Sequence, residues 1–207
     1  LRWSLLLFFG FLFITYQVLT NGPLVNFDNE VNRTNRPRFD CLSGFILRRL
    51  DDLGLRGLTA TVLLLAAGFI AYKFKTWRPL NLAVLSLLAL NFVVGVFKLF
   101  LGRTKPRDGF DLLHAGGMSY PSGHASNAVL SWGILAYLIY TYAHVDRFQG
   151  RLASACVALI SLTICIVSLI RHTHWFTDLL SGLFIGSSLL FAVIAVDRYV
   201  PSKSQLH

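Results

Sequence analysis

Charge is scarce in this chain. Charged residues fill 14% of its 207 positions, and only ten of them are Asp or Glu. An ordinary soluble domain carries roughly a quarter, so a solvated globule is excluded before any motif is read. Cysteine is also sparse. Cys156 and Cys165 lie in an apolar run, where a thiol behaves as a small hydrophobe, and Cys41 stands in a polar loop with no evident partner. No disulfide framework and no zinc spacing follows from three such residues. There is no His-Glu-x-x-His pattern and no pair of aspartates spaced for two metals. Internal repeats and low-complexity tracts are missing too, which counts against a transporter built from two similar halves.

Apolar sequence is abundant instead. Hydrophobic residues make up 55% of the chain and the mean hydropathy is +0.59. These values place the chain among polytopic membrane proteins. The formal charge of +9 sits in loops between apolar runs. Anionic lipid headgroups or a phosphorylated substrate therefore suit it better than nucleic acid.

About 20 mostly apolar residues cross a bilayer as a helix. Six runs approach this length: residues 5–19, 55–72, 80–97, 124–143, 152–170 and 179–196. The expected fold is all-α, a single membrane-embedded domain over residues 1–207 with six transmembrane helices in one bundle. The sequence opens on Leu1 with no methionine, which suggests that residues precede it. A signal peptide at the start is disfavoured, because no small-residue cleavage site follows and five more apolar runs do. Residues 21–54 form the one long polar connection, broken open by Asn21-Gly22-Pro23. Within it, residues 41–50 suit either a short amphipathic helix on the bilayer or a solvated loop. Asn32-Arg33-Thr34 matches a glycosylation acceptor, a triplet common by chance. Six spans put both termini on one side. Eight Lys and Arg then fall on the side of the termini and short turns, and eleven on the other. Counted over short loops, Lys73, Lys75, Arg78 and Arg147 favour a cytoplasmic position for the turns, so the opposite side faces outward. Arg198 and Lys203 lie in the tail.

Three polar clusters fall on that opposite side: Lys98 to Arg107, Pro121-Ser122-Gly123-His124, and Arg171 to Asp178. Together they supply five cations, three histidines and one well-placed acid. Ionisable groups beside spans are kept chiefly where they work. His174 and Asp178 are four apart, so on a helix they share a face. The carboxylate then fixes one ring nitrogen and leaves the other free to attack. By itself such a pair is more often a capped helix start. Ser122 suits an N-cap, with the N–H groups of Gly123 and His124 open to an anion. By itself Ser-Gly-His is weak. Lys98, Arg103, Lys105 and Arg107 can clamp phosphate oxygens, although such clusters more often meet lipid headgroups.

Taken in order, the three clusters resemble the signature of the type 2 phosphatidic acid phosphatase superfamily of membrane lipid phosphatases. That signature reads Lys, six residues, Arg-Pro; then Pro-Ser-Gly-His; then Ser-Arg, five residues, His, three residues, Asp. The match runs from Lys98 to Asp178, and the six-span architecture agrees. The resemblance implies His174 as nucleophile through a phosphohistidine, Asp178 as its orienting acid and His124 as the general acid. It implies Lys98, Lys105, Ser122 and Gly123 as phosphate ligands, with no metal and no cofactor. Two positions depart from the pattern. Lys105 stands for an arginine and loses its bidentate fork, which Arg103 or Arg107 can supply. Ser168 stands for the second arginine. Arg171 lies one helical turn further on and can reach the same phosphate.

The implied substrates are phosphatidic acid, phosphatidylglycerophosphate, polyprenyl phosphates or pyrophosphates, and phosphorylated lipid A. A compact bacterial member acting on a polyprenyl or glycerolipid phosphate in the cell (inner) membrane, its site on the periplasmic side, fits best. The partners are then the lipid phosphate and membrane lipids, not nucleic acid. The oligomeric state is left open. An anionic-lipid transporter or flippase and a catalytically weakened lipid-binding relative are the competing readings. Attack needs neutral His174 and leaving-group protonation needs charged His124, so a bell-shaped pH–rate profile is expected.

Overall fold

The computed structural model describes residues 1–34, 39–143 and 145–200. Lys203, read above as part of a basic tail, lies outside the described residues. The described residues form helices joined by loops, with no strand among them.

Helix α1 covers Arg2–Leu19 and α2 covers Pro23–Arg33. Pro23 sits in the first turn of α2, where its missing N–H costs nothing. Asn21-Gly22-Pro23 follows the end of α1 as expected of a breaker. It also starts the next helix. Helix α3 covers Cys41–Asp52, and its N-cap Asp40 accepts from Ser43 N at 2.8 Å. Of the two readings for residues 41–50, the helix is the one observed. Helix α4 covers Arg56–Phe74 and stops at left-handed Lys75; α5 covers Arg78–Leu101 and stops at left-handed Gly102.

The fourth expected span is helical in three abutting pieces. These are α6 (Gly123–Asn127), a π segment (Ala128–Trp132) and α7 (Gly133–Tyr142). Helix α8 covers Arg147–Ile170, opened by an Asp146–Gln149 capping box, and α9 covers Phe176–Tyr199. Among the described residues, five helices are long and apolar enough to cross a membrane. The segmented residues 123–142 are the difference from the expected six. The π segment splits them into pieces that are each too short to meet that length.

Large apolar side chains face outward as well as into the core. Leu65, Phe92, Leu99 and Leu159 point outward, whereas Ser86, Ser126, Ser181 and Ser188 are buried. Lipid solvates the first set, and small polar residues let helices approach closely. Helix α9 is the axis, touching α1, α2, α5, α6, α7 and α8. Gly182 and Gly186 are the reason α6 lies flush on it. A Cβ at either would come within 2.6 or 2.8 Å of a backbone oxygen of Ser122 or Ser126.

Candidate active site

The three polar clusters meet at one end of the bundle, where α5 ends and α6 and α9 begin. Gly102 turns the chain at the end of α5 with φ 51°, a value that L side chains resist. The following loop folds back on this turn. His114 N donates to Leu101 O at 2.7 Å and Ser119 N donates to Arg103 O at 3.0 Å. The loop thus delivers Ser119 and the Pro121–His124 cluster beside the start of α9. Ser122 N donates to Asp178 O at 2.9 Å, tying the second cluster to the third.

Asp178 is fully buried at the first turn of α9. Trp175 N donates to its Oδ2 at 3.0 Å, and the Ser119 hydroxyl donates to the same oxygen in a short bond. Arg103 Nη1 donates to Oδ1 at 2.8 Å. His174 Nδ1 lies 3.5 Å from Oδ2. The expected pairing of His174 with Asp178 is present, with one difference in its origin. His174 does not share a helix with Asp178. It sits in the turn ahead of N-cap Trp175, and the acid reaches it by capping that turn.

Arg103 was expected among the phosphate clamps, and the structure corrects this. Its side chain is fully buried, and all five of its N–H donors are engaged. Nε and Nη2 hold Asp111 at 2.7 and 2.6 Å, Nη2 holds Asp28 at 2.7 Å, and Nη1 holds Thr177 and Asp178 at 2.7 and 2.8 Å. It is a structural hub, and no donor remains for a ligand. Asp28 comes from α2 and also accepts from Thr177 N at 2.8 Å. Burial pushes the Asp28 carboxyl above its ordinary range, the Arg103 charge opposing this. The network therefore costs desolvation, and its return is placement of Asp178.

His124 lies across from His174, with ring centroids 6.3 Å apart. Ser122 caps α6 by accepting from Ala125 N at 3.4 Å. The half-buried Lys98 side chain passes beside Gly123 and donates to Met118 O. Lys105 and Arg56 are close enough to act on Lys98 electrostatically. His172, the third histidine, is engaged with Asn32 Oδ1 at 2.7 Å. That bond also occupies the side chain of the glycosylation triplet.

Arg171 caps the end of α8, and its Nη1 reaches Asp51 Oδ2 at 2.5 Å. Ser168 donates to the other oxygen of Asp51 at 3.0 Å. Positions 168 and 171 do face the same way, and what they share is a carboxylate from α3. Asp51 and Asp52 in turn act electrostatically on His124, and Gly54 packs against it so closely that a Cβ would lie 2.8 Å from His124 O.

Sequence reasoning thus missed Ser119, Asp28, Thr177, Asp111, Asp51 and Arg56. Ser119 had a faint signal as a polar residue just ahead of Pro121-Ser122-Gly123-His124. Asp28 and Asp51 had none, since both reach the site from distant helices. Among the described residues, no three His, Cys, Asp or Glu side chains are placed to hold a metal ion.

With this geometry, the chain belongs to the PAP2 superfamily, whose family model matches residues 79–201. It is similar to phosphatidylglycerophosphatase B of Bacillus subtilis (strain 168), 27% identical over 139 residues that cover 67% of each chain. Its fold is similar to the crystal structure of a transmembrane PAP2-type phosphatidylglycerolphosphate phosphatase from Bacillus subtilis. That match has a TM-score of 0.86 at 21% identity, over 98% of this chain and 100% of the other.

Proposed function

We propose that this membrane lipid phosphatase removes the phosphate of a glycerolipid phosphate, phosphatidylglycerophosphate first among them, through a phosphohistidine on His174 and without a metal. The observation that carries the reading is a buried Asp178, held by three donors and facing His174 Nδ1, with His124 across the cleft. The substrate follows the activities of the two relatives. A polyprenyl phosphate is the same chemistry on another tail.

In the first step Nε2 of neutral His174 attacks phosphorus in line with the lipid oxygen. Asp178 accepts from Nδ1–H and stabilises the positive charge that develops on the ring. Their 3.5 Å separation shortens as that charge grows. The bond from phosphorus to the lipid oxygen breaks, and His124 gives that oxygen its proton. In the second step neutral His124 takes a proton from water, which attacks the phosphoryl group. The P–N bond breaks, and inorganic phosphate leaves with both histidines restored. Lys98, Lys105, the Ser122 hydroxyl and the Gly123 N–H hold the equatorial oxygens. Arg171 joins them from the rim by exchanging one N–H from Asp51 to phosphate.

The site lies at the bundle's end, where a headgroup phosphate can enter while its tail stays in lipid. Residues 123–142 supply a sixth crossing, about 30 Å long at 1.5 Å per residue. The membrane is the bacterial inner membrane, with the site on its outer face. Phosphate release from a panel of phosphatidylglycerophosphate, phosphatidic acid, polyprenyl phosphate and a soluble phosphomonoester, with chelator present, tests the reading. Glycerolipid phosphates are expected to turn over fastest. Preference for the soluble ester would overturn the lipid assignment.

A further inference from the structure

A second feature lies away from the site. Helices α7, α8 and α9 diverge to leave a crevice of about 950 Å³. It is lined along α8 from Arg147 to Leu162 and along α9 from Leu183 to Arg198. At 1.5 Å per residue each stretch is about 22 Å long. The site stands at the C-terminal end of α8 and the N-terminal end of α9, so the crevice opens at the opposite face of the bundle. Its deepest lining residue on α9, Leu183, is about 10 Å along the helix from Phe176 at the site end.

Small residues line it, with Gly133 and Gly150 letting Leu190 and Tyr140 pack onto their backbones. Gly133, Ala136, Gly150, Ser154 and Ala158 present little side chain to it. Its body is apolar, with Val157, Leu162 and Leu190 on the walls. Its mouth is cationic: Arg147, Arg151 and Arg198 all line it and all are exposed. Among the described residues, no carboxylate forms an ion pair with these three. The nearby Asp197 is occupied, accepting from Arg78 Nε at 2.7 Å and from Tyr137 Oη at 2.7 Å. Arg198 lies over the Tyr137 ring at 5.9 Å.

We propose that this crevice is a binding site for one anionic phospholipid of the leaflet opposite the active site. Its phosphate meets the three arginines and an acyl chain fills the slot. The charge selects the ligand. Three arginines that form no ion pair among the described residues favour a net anionic headgroup over a zwitterionic one. The length fits too, because half of a 30 Å hydrocarbon core is about 15 Å, so one tail from that leaflet occupies most of the slot. The bound lipid is not the substrate, whose phosphate lies at the other end of the bundle.

Native mass spectrometry of the purified full chain in detergent tests this, titrated separately with dioleoyl-phosphatidylglycerol and dioleoyl-phosphatidylcholine. Neither is a phosphomonoester. Wild type is expected to retain the anionic lipid more tightly. Each lost arginine should weaken it about fivefold, so Arg147→Gln with Arg151→Gln should bring the two lipids close together. Ala158→Phe, which fills the slot, should reduce retention of both. These variants leave phosphate release from a lipid phosphate within about twofold of wild type, because no site residue moves. Equal retention of the two lipids by wild type overturns the proposal, as does unchanged retention in the arginine variant. A dimer mass that the anionic lipid does not displace also overturns it, by giving the crevice to a second copy. The arginine variant is a surface change and stands as the test if Ala158→Phe fails to fold.

Discussion

Arg103 separates placement from binding at the level of single residues. Its charge is needed where three aspartates converge, and its donors are spent there. Removing it as Arg103→Met leaves buried carboxylates uncompensated, which costs about 3–5 kcal/mol. The expected outcome is a lower Tm in thermal unfolding. An unchanged Tm with a raised KM would instead make Arg103 a phosphate ligand. Asp178→Asn keeps the shape but alters what His174 Nδ1 meets. It should lower kcat by about 10²–10⁴-fold with KM little changed. Loss of both parameters in proportion, with unfolding, would leave Asp178 a purely structural acid. The pH–rate profile should be bell-shaped, because attack needs neutral His174 and leaving-group protonation needs charged His124. A flat profile in a single-turnover experiment contradicts that division of labour.

At the level of elements, the approach of α6 to α9 sets the distance between the two histidines. Gly182→Ala places a methyl 2.6 Å from Ser122 O, so α6 must move. The expected cost is about 1–3 kcal/mol of stability, with a fall in activity larger than the fall in folded fraction. Activity that tracks folded fraction alone would show that this contact does not hold the site. These contacts also explain what was legible beforehand. Apolar runs identified the long helices because lipid rewards uninterrupted hydrophobicity, and Pro121 to His124 and His174 to Asp178 were readable because their parts are close in sequence. The π segment was invisible, since its apolar composition matches that of the α-helix on either side. Helix α2 was hidden by its polarity: it is held by Asp28 on Arg103 and Thr177, contacts that lie 75 and 149 residues away. Arg171 was placed on the correct face, but no periodicity pointed to Asp51, 120 residues earlier.

For the whole molecule, the bundle puts the polar clusters at one end and the short basic turns at the other. With the site outward, Arg107→Cys should react with a membrane-impermeant maleimide on intact cells, and Lys75→Cys only after permeabilisation. The background needs Cys41→Ser, Cys156→Ser and Cys165→Ala, since all three cysteines are free thiols. The reverse pattern would place the site in the cytoplasm. The scaffold thus separates two proposed chemistries: phosphate removal at the polar end, and lipid retention at the arginine-lined crevice, which phosphate removal does not require.

The central claim is that His174 carries the phosphoryl group without a metal. Phosphate release from phosphatidylglycerophosphate, measured with excess chelator for wild type and His174→Ala, tests it most directly. Wild type should keep its rate under chelator, and the variant should lose at least about a thousandfold. Release that stops with chelator, or that survives in the folded variant, would contradict the account.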